Sequence, residues 1–289
     1  MKKVVSFSGG RTSAYLCYLM KEKFGDEVDF VYMDTGAEHG KTYEFIRSVN
    51  DEFKLNLTCL RTDFSNPLGS GNGFTVVKID SITPDLKPFK EMTAKYGVPY
   101  IGGMFCTDRM KLVPFTKYCN EKYGRGNYET WLGIRADEPK RLTPKKGIRY
   151  LAEISDFDKE DILEFWVDMP FDLDIPEHLG NCVFCPKKSN LKLAAAQRDE
   201  PEFYHSFLNM IYSDLVRHDN KTGHWSQMYR GKKSLEQVVA MFDGSTGDEI
   251  KARIRGTKAT NTGSCSESCE VFVCEANQIG LFDSGLMNG

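Results

Sequence analysis

Residues 4–13, Val-Val-Ser-Phe-Ser-Gly-Gly-Arg-Thr-Ser, constrain the chain more than any other stretch. Val4, Val5 and Phe7 make a short apolar run, as a buried strand requires. Ser8, Gly9 and Gly10 break that run. From Arg11 onward Tyr15, Leu16, Leu19 and Met20 recur at helical spacing. The pattern is strand, small-residue loop, helix. Glycine lets the backbone turn sharply and present its N–H groups to a ligand. The helix that follows aims the positive end of its dipole at the same place. Together they predict an anion site, and phosphate is the usual anion. An ordinary strand-to-helix turn is the plainer alternative.

The next segments repeat the alternation. Residues 28–33 (VDFVYM) read as a second buried strand ending in Asp34-Thr35-Gly36, residues 44–53 as a helix, and residues 55–60 (LNLTCL) as a third strand. Strand, helix, strand, helix, strand predicts a parallel, doubly wound α/β sheet. Asp34 then stands at the carboxyl end of a strand, where open α/β sheets bind ligands. A solvated turn or a helix cap would also explain it. Residues 66–72 read as a plain loop, and residues 84–96 as a short helix.

Further along, three segments carry chemistry. Cys106 lies in Phe105-Cys106-Thr107-Asp108-Arg109-Met110-Lys111, with two cations beside the thiol. A lone cysteine is also a common core residue. Residues 128–134 read as a strand running into Arg135-Ala136-Asp137-Glu138-Pro139-Lys140-Arg141, two guanidinium groups and two carboxylates at a strand's end. Arginine's planar fork suits phosphate, although a salt-bridged surface turn has the same composition. Finally, Cys182-Val183-Phe184-Cys185-Pro186 places two thiols at a spacing that serves one metal, one cluster or a redox dithiol.

The first loop is neither a Walker A motif nor the dinucleotide fingerprint. Ser8-Gly9-Gly10-Arg11-Thr12-Ser13 resembles the pyrophosphate loop S-G-G-x-x-S of the adenine nucleotide alpha-hydrolase-like family. That family includes ATP pyrophosphatases, tRNA thiolation enzymes, the DNA phosphorothioation sulfurtransferase and the sulfonucleotide (PAPS) reductases. Asp34-Thr35-Gly36-Ala37-Glu38 is similar to the family's N-T-G-x-E, with Asp for Asn. Cys106 resembles its C-T-x-x-L-K stretch, Gly133 to Arg141 its G-x-R-x-x-E-x-x-R, and Cys182 to Pro186 its C-x-x-C-P. The motifs stand in the family's order over residues 1–190 and fade beyond. PAPS reductase-like proteins look nearest. True PAPS reductases, however, resemble S-S-S-F-G in the first loop and carry a C-terminal E-C-G-L-H. This chain has the intact S-G-G-x-x-S, and Ser268-Cys269-Glu270 in its tail.

The resemblance implies a Rossmann-like sheet of the alpha-hydrolase type, with residues 1–190 as a nucleotide-binding domain. Residues 191–255 are expected as a helical C-terminal region and residues 256–289 as a flexible, cysteine-bearing tail. It implies that Ser8, Gly9, Gly10, Arg11, Thr12 and Ser13 hold the phosphates of ATP with Mg²⁺. Asp34, Thr35 and Gly36 would lie near the ribose or the metal, and Arg135 would steady the phosphates. Asp34 and Arg135 are the expected catalytic residues, with Cys269 as the nucleophile if the chain is a reductase.

The cysteines need sorting. Nine in 289 residues, with no signal-peptide-like stretch at Met1-Lys2-Lys3-Val4, argue against a disulfide scaffold and for a cytoplasmic location. Cys17 and Cys59 sit among apolar neighbours, and Cys119 has no partner in sequence. Cys106, Cys182 and Cys185 remain as ligands, with Cys265, Cys269 or Cys274 as sources of a fourth and Cys269 as the choice. Four thiolates suit zinc and a [4Fe–4S] cluster alike; the resemblance favours the cluster. A net charge of −3 supplies no overall pull toward nucleic acid. No apolar run reaches membrane-spanning length. The expected activity is adenylation of an acceptor followed by sulfur transfer to it. A PAPS or APS reductase and a non-catalytic nucleotide or Fe–S module are the alternatives. The expected partners are an adenine nucleotide, a nucleotide or nucleic-acid acceptor, a sulfur donor or reductant protein, and a second copy in a homodimer.

Overall fold

The structure, a computed structural model, describes residues 1–217, 229–230 and 232–256. Strand β1 (Lys2–Phe7) is buried over its last four residues, as its apolar run requires. Helix α1 (Arg11–Phe24) follows directly, then β2 (Val28–Met33), α2 (Gly40–Glu52) and β3 (Thr58–Asp63). Strand β4 (Gly73–Val77) and helix α3 (Lys87–Tyr96) come next. The single turn α4 (Phe105–Thr107) passes through a π-helical turn (Asp108–Leu112) into α5 (Val113–Tyr123). Pro114 has no N–H to continue the regular ladder there, and a widened turn accommodates it. Strands β5 (Tyr128–Leu132) and β6 (Ile148–Tyr150) complete the sheet. The remaining helices are α6 (Lys159–Val167), α7 (Asn190–Asp199), α8 (Pro201–Ile211), α9 (Leu235–Ala240) and α10 (Gly247–Gly256).

The sheet runs β4-β3-β2-β1-β5-β6. All neighbours are parallel except β3 with β4. From β1 the chain builds outward through β2 on one side and returns through β5 on the other. The strand order therefore reverses between β1 and β5, and the crevice beyond their carboxyl ends is where such sheets take ligands. The expected mostly parallel α/β fold stands. No helix among the described residues is long and apolar enough to cross a membrane.

Several boundaries differ from the sequence reading. Strand β3 starts at Thr58 rather than Leu55, because Lys54 and Asn56 take left-handed conformations at φ 52° that no strand continues. Helix α2 starts four residues early, since the His39 ring caps it by accepting from the Lys41 N–H at 3.1 Å. Strands β4 and β6 were not foreseen.

Two packed layers position the site. One joins α1, α2 and α6 to the sheet through Phe7, Tyr32, Phe45 and Trp166. The other joins the Cys182–Cys185 segment to α3, α8 and α9 through Val183, Phe184, Phe207 and Val238.

Candidate functional site

Gly9 has φ +81°, and a Cβ there would lie 3.0 Å from Ile46 Cδ1. Both facts favour glycine. Gly10 stands at the N-cap of α1, which has no side-chain cap. The orphan N–H groups of the first turn are thus left for a ligand. The two hydroxyls of the loop meet: Ser13 Oγ donates to the Gly10 carbonyl at 2.9 Å and accepts from Ser8 Oγ at 2.8 Å and from the Ser8 N–H at 3.2 Å. Arg11 turns aside. Its Nε and Nη2 grip Asp172 at 2.6 and 2.7 Å, and Nη2 also donates to the Leu173 carbonyl.

Beside the loop runs the end of β5. A Cβ on Gly133 would lie 2.8 Å from Ser13 Cα, so only glycine fits that close approach. Arg135 is buried, and its Nη1 donates to Thr12 Oγ1 at 3.2 Å. Asp137 takes its Nε and Nη2 at 2.8 and 3.1 Å. Glu138 receives the Arg135 N–H at 3.2 Å and Arg141 Nη1 at 2.5 Å. This network fixes one guanidinium directly against the first turn of α1. A cleft opens here, lined by Arg11, Thr12, Arg135, Lys159, Ile175 and Gly180.

Asp34 stands differently from expectation. Its side chain is fully buried, Oδ1 accepting from the Gly36 N–H at 2.9 Å and the Tyr43 hydroxyl at 3.1 Å, and Oδ2 from Arg61 Nε at 2.7 Å. Burial pushes its carboxyl above the usual range, against the pull of the Gly36 N–H and Arg61. The carboxylate shapes the turn: both of its oxygens are taken up by protein donors, whereas the sequence reading left them for ribose or metal. Gly36, at φ +68°, has no room for a Cβ, which would meet Pro88 Cδ at 2.8 Å. Thr35 Oγ1 accepts from the Ala37 N–H at 3.3 Å and lies 3.7 Å from Cys182 Sγ. The turn after β2 therefore faces the thiols.

That contact continues along the backbone. Val183 N–H donates to the Ala37 carbonyl at 2.9 Å, and Glu38 pairs with Cys182 in an antiparallel bridge. Glu38 is buried with Lys111 Nζ 3.4 Å from its Oε1. Lys188, also fully buried, ties the cysteine turn by donating to the His178 and Val183 carbonyls at 2.7 and 3.0 Å. The sequence reading took Lys111 as a cation beside Cys106 and Lys188 as positive charge near the cysteine pair, and assigned no role to Glu38 or Arg61. Only Glu38 had a signal, as the last residue of the N-T-G-x-E resemblance.

Cys106, Cys182 and Cys185 come together. Cys106 interacts electrostatically with Cys185, and Cys182 with both. Burial pushes Cys106 and Cys182 up to about 12, so both are neutral thiols at neutral pH. Among the described residues no three His, Cys, Asp or Glu side chains are already gathered closely enough to hold a metal ion. Cys269, Cys265 and Cys274 lie outside the described residues. The donor chemistry still fits a thiophilic centre: three soft, half-buried ligands, and beside them a buried Tyr229 hydroxyl without a partner among the described residues.

The model of the phosphoadenosine phosphosulfate reductase domain matches residues 2–68. The chain is 53% identical over 277 residues to the uncharacterized nin region protein ORF290 of Escherichia phage lambda, covering 94% of this chain and 96% of that one. The uncharacterized protein MJ0066 of Methanocaldococcus jannaschii is 26% identical over 145 residues, which span 50% of this chain and 25% of MJ0066. The crystal structure of phosphoadenylyl-sulfate (PAPS) reductase from Candida auris, a phosphate complex, aligns with 60% of this chain and 75% of its own. Its TM-score is 0.38 and its identity 14%.

Proposed function

The chain belongs to the PAPS reductase-like family of adenine nucleotide alpha-hydrolase proteins, and on that premise we propose that it is an ATP-using enzyme that adenylates an acceptor for sulfur transfer. The observation that carries this reading is the backbone junction of residues 37–38 with Cys182 and Val183. It sets the thiol chamber against the turn after β2, at the same carboxyl edge of the sheet as the phosphate loop.

Each part of the site has a task in that reaction. The β- and γ-phosphates of ATP sit on the N–H groups of the first turn of α1 and displace the Ser8–Ser13 hydroxyl pairing. Arg135, already against Thr12, takes charge on the α-phosphate side, and bound Mg²⁺ offsets the rest. An acceptor oxygen attacks the α-phosphorus, and the bond to the bridging oxygen breaks. Pyrophosphate leaves with the electron pair. The acceptor now carries AMP, a good leaving group. A sulfide sulfur from a donor protein or small molecule then attacks the acceptor carbon and AMP departs. A [4Fe–4S] cluster on Cys106, Cys182 and Cys185, with Cys269 as fourth ligand, would supply a place to hold that sulfur; zinc is the alternative metal. Next to Cys182, Lys111 is the cation that favours loss of the thiol proton, against burial and the Glu38 carboxylate, which oppose it. The acceptor is a nucleotide or nucleic acid, and the enzyme works as a cytoplasmic homodimer.

The test is pyrophosphate release from ATP and Mg²⁺ across a panel of nucleotide and nucleic-acid acceptors. The reading requires release that depends on an acceptor and yields AMP in equal amount.

A sulfonucleotide reductase is the second reading, favoured by the domain description matched over residues 2–68. It needs a tail thiol such as Cys269 to attack the sulfate of PAPS or APS. Deleting residues 260–289 would then end all turnover, whereas an adenylating enzyme keeps its ATP half-reaction.

A further inference from the structure

Tyr229 is 2% exposed, and its hydroxyl finds no hydrogen-bond partner among the described residues. Buried hydroxyls are rarely left so. The residue is held firmly on every other side. Its carbonyl accepts from the Ile101 N–H at 3.1 Å, in the loop that leads to Cys106. Its N–H donates to the Lys233 carbonyl at 2.8 Å. Its ring meets Phe207 edge-on, at 87° with centroids 6.4 Å apart. Next to it, Arg230 Nη1 donates to the Pro186 carbonyl at 2.7 Å and to the Lys188 carbonyl, both just after Cys185. Tyr229 is therefore pinned between the two segments that carry the cysteines. Cys185, Cys182 and Cys106, in that order, are the charges-in-waiting that its hydroxyl feels most.

We propose that the Tyr229 hydroxyl is a hydrogen-bond donor held ready for a sulfur atom of a centre bound by Cys106, Cys182 and Cys185. Tyr229 is then a positioning residue of that centre. The inference rests on the cluster reading above. Among the described residues the phenol finds no acceptor; in a loaded centre a thiolate or sulfide accepts its hydrogen bond. Hydrogen bonds to cluster sulfurs stabilise the more negative, reduced state and so raise the reduction potential.

The experiment compares the full chain with Tyr229→Phe, which keeps the ring and removes only the hydroxyl. Both proteins are loaded anaerobically with iron and sulfide. Three quantities are read: the thermal midpoint before loading, the rate of iron loss to a chelator, and the reduction potential. The expected result is opposite signs. Unloaded Tyr229→Phe melts at the same temperature or higher, because it buries no orphan hydroxyl. The loaded variant loses iron several-fold faster and has a more negative potential. A structural role alone would lower the unloaded midpoint and leave potential and iron loss unchanged, and that result overturns the inference. Iron bound equally by both proteins, with equal potential and loss rate, overturns it while leaving the cluster reading intact. No iron bound by the parent overturns both.

Discussion

Gly133 and Ser13 touch backbone to backbone: a Cβ on Gly133 would lie 2.8 Å from Ser13 Cα and 3.0 Å from its N. The close approach seats the end of β5 on the first turn of α1 and lets Arg135 reach Thr12. Gly133→Ala must push the two apart. Overpacking of this kind costs about 1–3 kcal/mol, and the displaced turn presents its N–H groups badly. Chemical denaturation should show that loss, and ATP titration a weakened affinity at temperatures where the variant is folded. An alanine variant as stable and as tight-binding as the parent would remove the junction from the account.

Asp34 and Arg61 form a pair that is structural in this protein. Arg61→Ala leaves a buried carboxylate with only the Gly36 N–H and the Tyr43 hydroxyl. Removing one partner of a buried pair costs about 3–5 kcal/mol. Urea unfolding is expected to show a fall of that order.

Acid sensitivity has an identifiable contributor at the other end of β2. Burial raises the Asp29 carboxyl, but Lys122, Lys2 and Tyr123 outweigh it and hold it down at about 2, against an ordinary 3.8. A depressed folded value gives stability that is present above 3.8 and is lost as the pH falls from there through about 2. Asp29→Asn should be less stable than the parent at neutral pH, and the gap should close across that window in a series of thermal melts.

The thiols and the nucleotide loop are predicted to separate under mutation. Cys182→Ser removes one of the three proposed ligands while leaving residues 8–13 untouched. Iron analysis after anaerobic purification should show the brown colour lost, with ATP binding within about two-fold of the parent, a difference of about 0.4 kcal/mol. A colourless parent carrying stoichiometric zinc would assign the thiols to a structural metal instead.

Local signals were legible in the sequence, and long-range pairings were not. The strand-loop-helix pattern at residues 4–20 appears as expected, and α6 carries a cap that its local sequence encodes. Asp158 accepts from the Glu160 and Asp161 N–H groups at 2.8 and 3.1 Å, and Asp161 returns the bond to the Asp158 N–H at 2.9 Å. Ser234 caps α9 in the same manner with Gln237. Strand β4 escaped notice because an edge strand with none of its five residues buried lacks the apolar run of a central one. Asp34 was placed at the right edge of the sheet, yet its partner Arg61 lies 27 positions away, and no local pattern announces that choice. Arg11 was read as a member of the phosphate loop, and its guanidinium binds Asp172, a partner that no local pattern announces. Tyr229 is invisible for the same reason: what marks it is a hydrogen bond unmet among the described residues, and only the folded chain reveals that.

The central claim is that the chain cleaves ATP to activate an acceptor, and one product analysis tests it most directly. One mixture holds the enzyme, ATP, Mg²⁺, a sulfide source and an acceptor panel; a second holds the enzyme, PAPS and reduced thioredoxin. Pyrophosphate and AMP from the first, with no sulfite from the second, is the predicted outcome. Steady sulfite from PAPS, with ATP left intact, would contradict it.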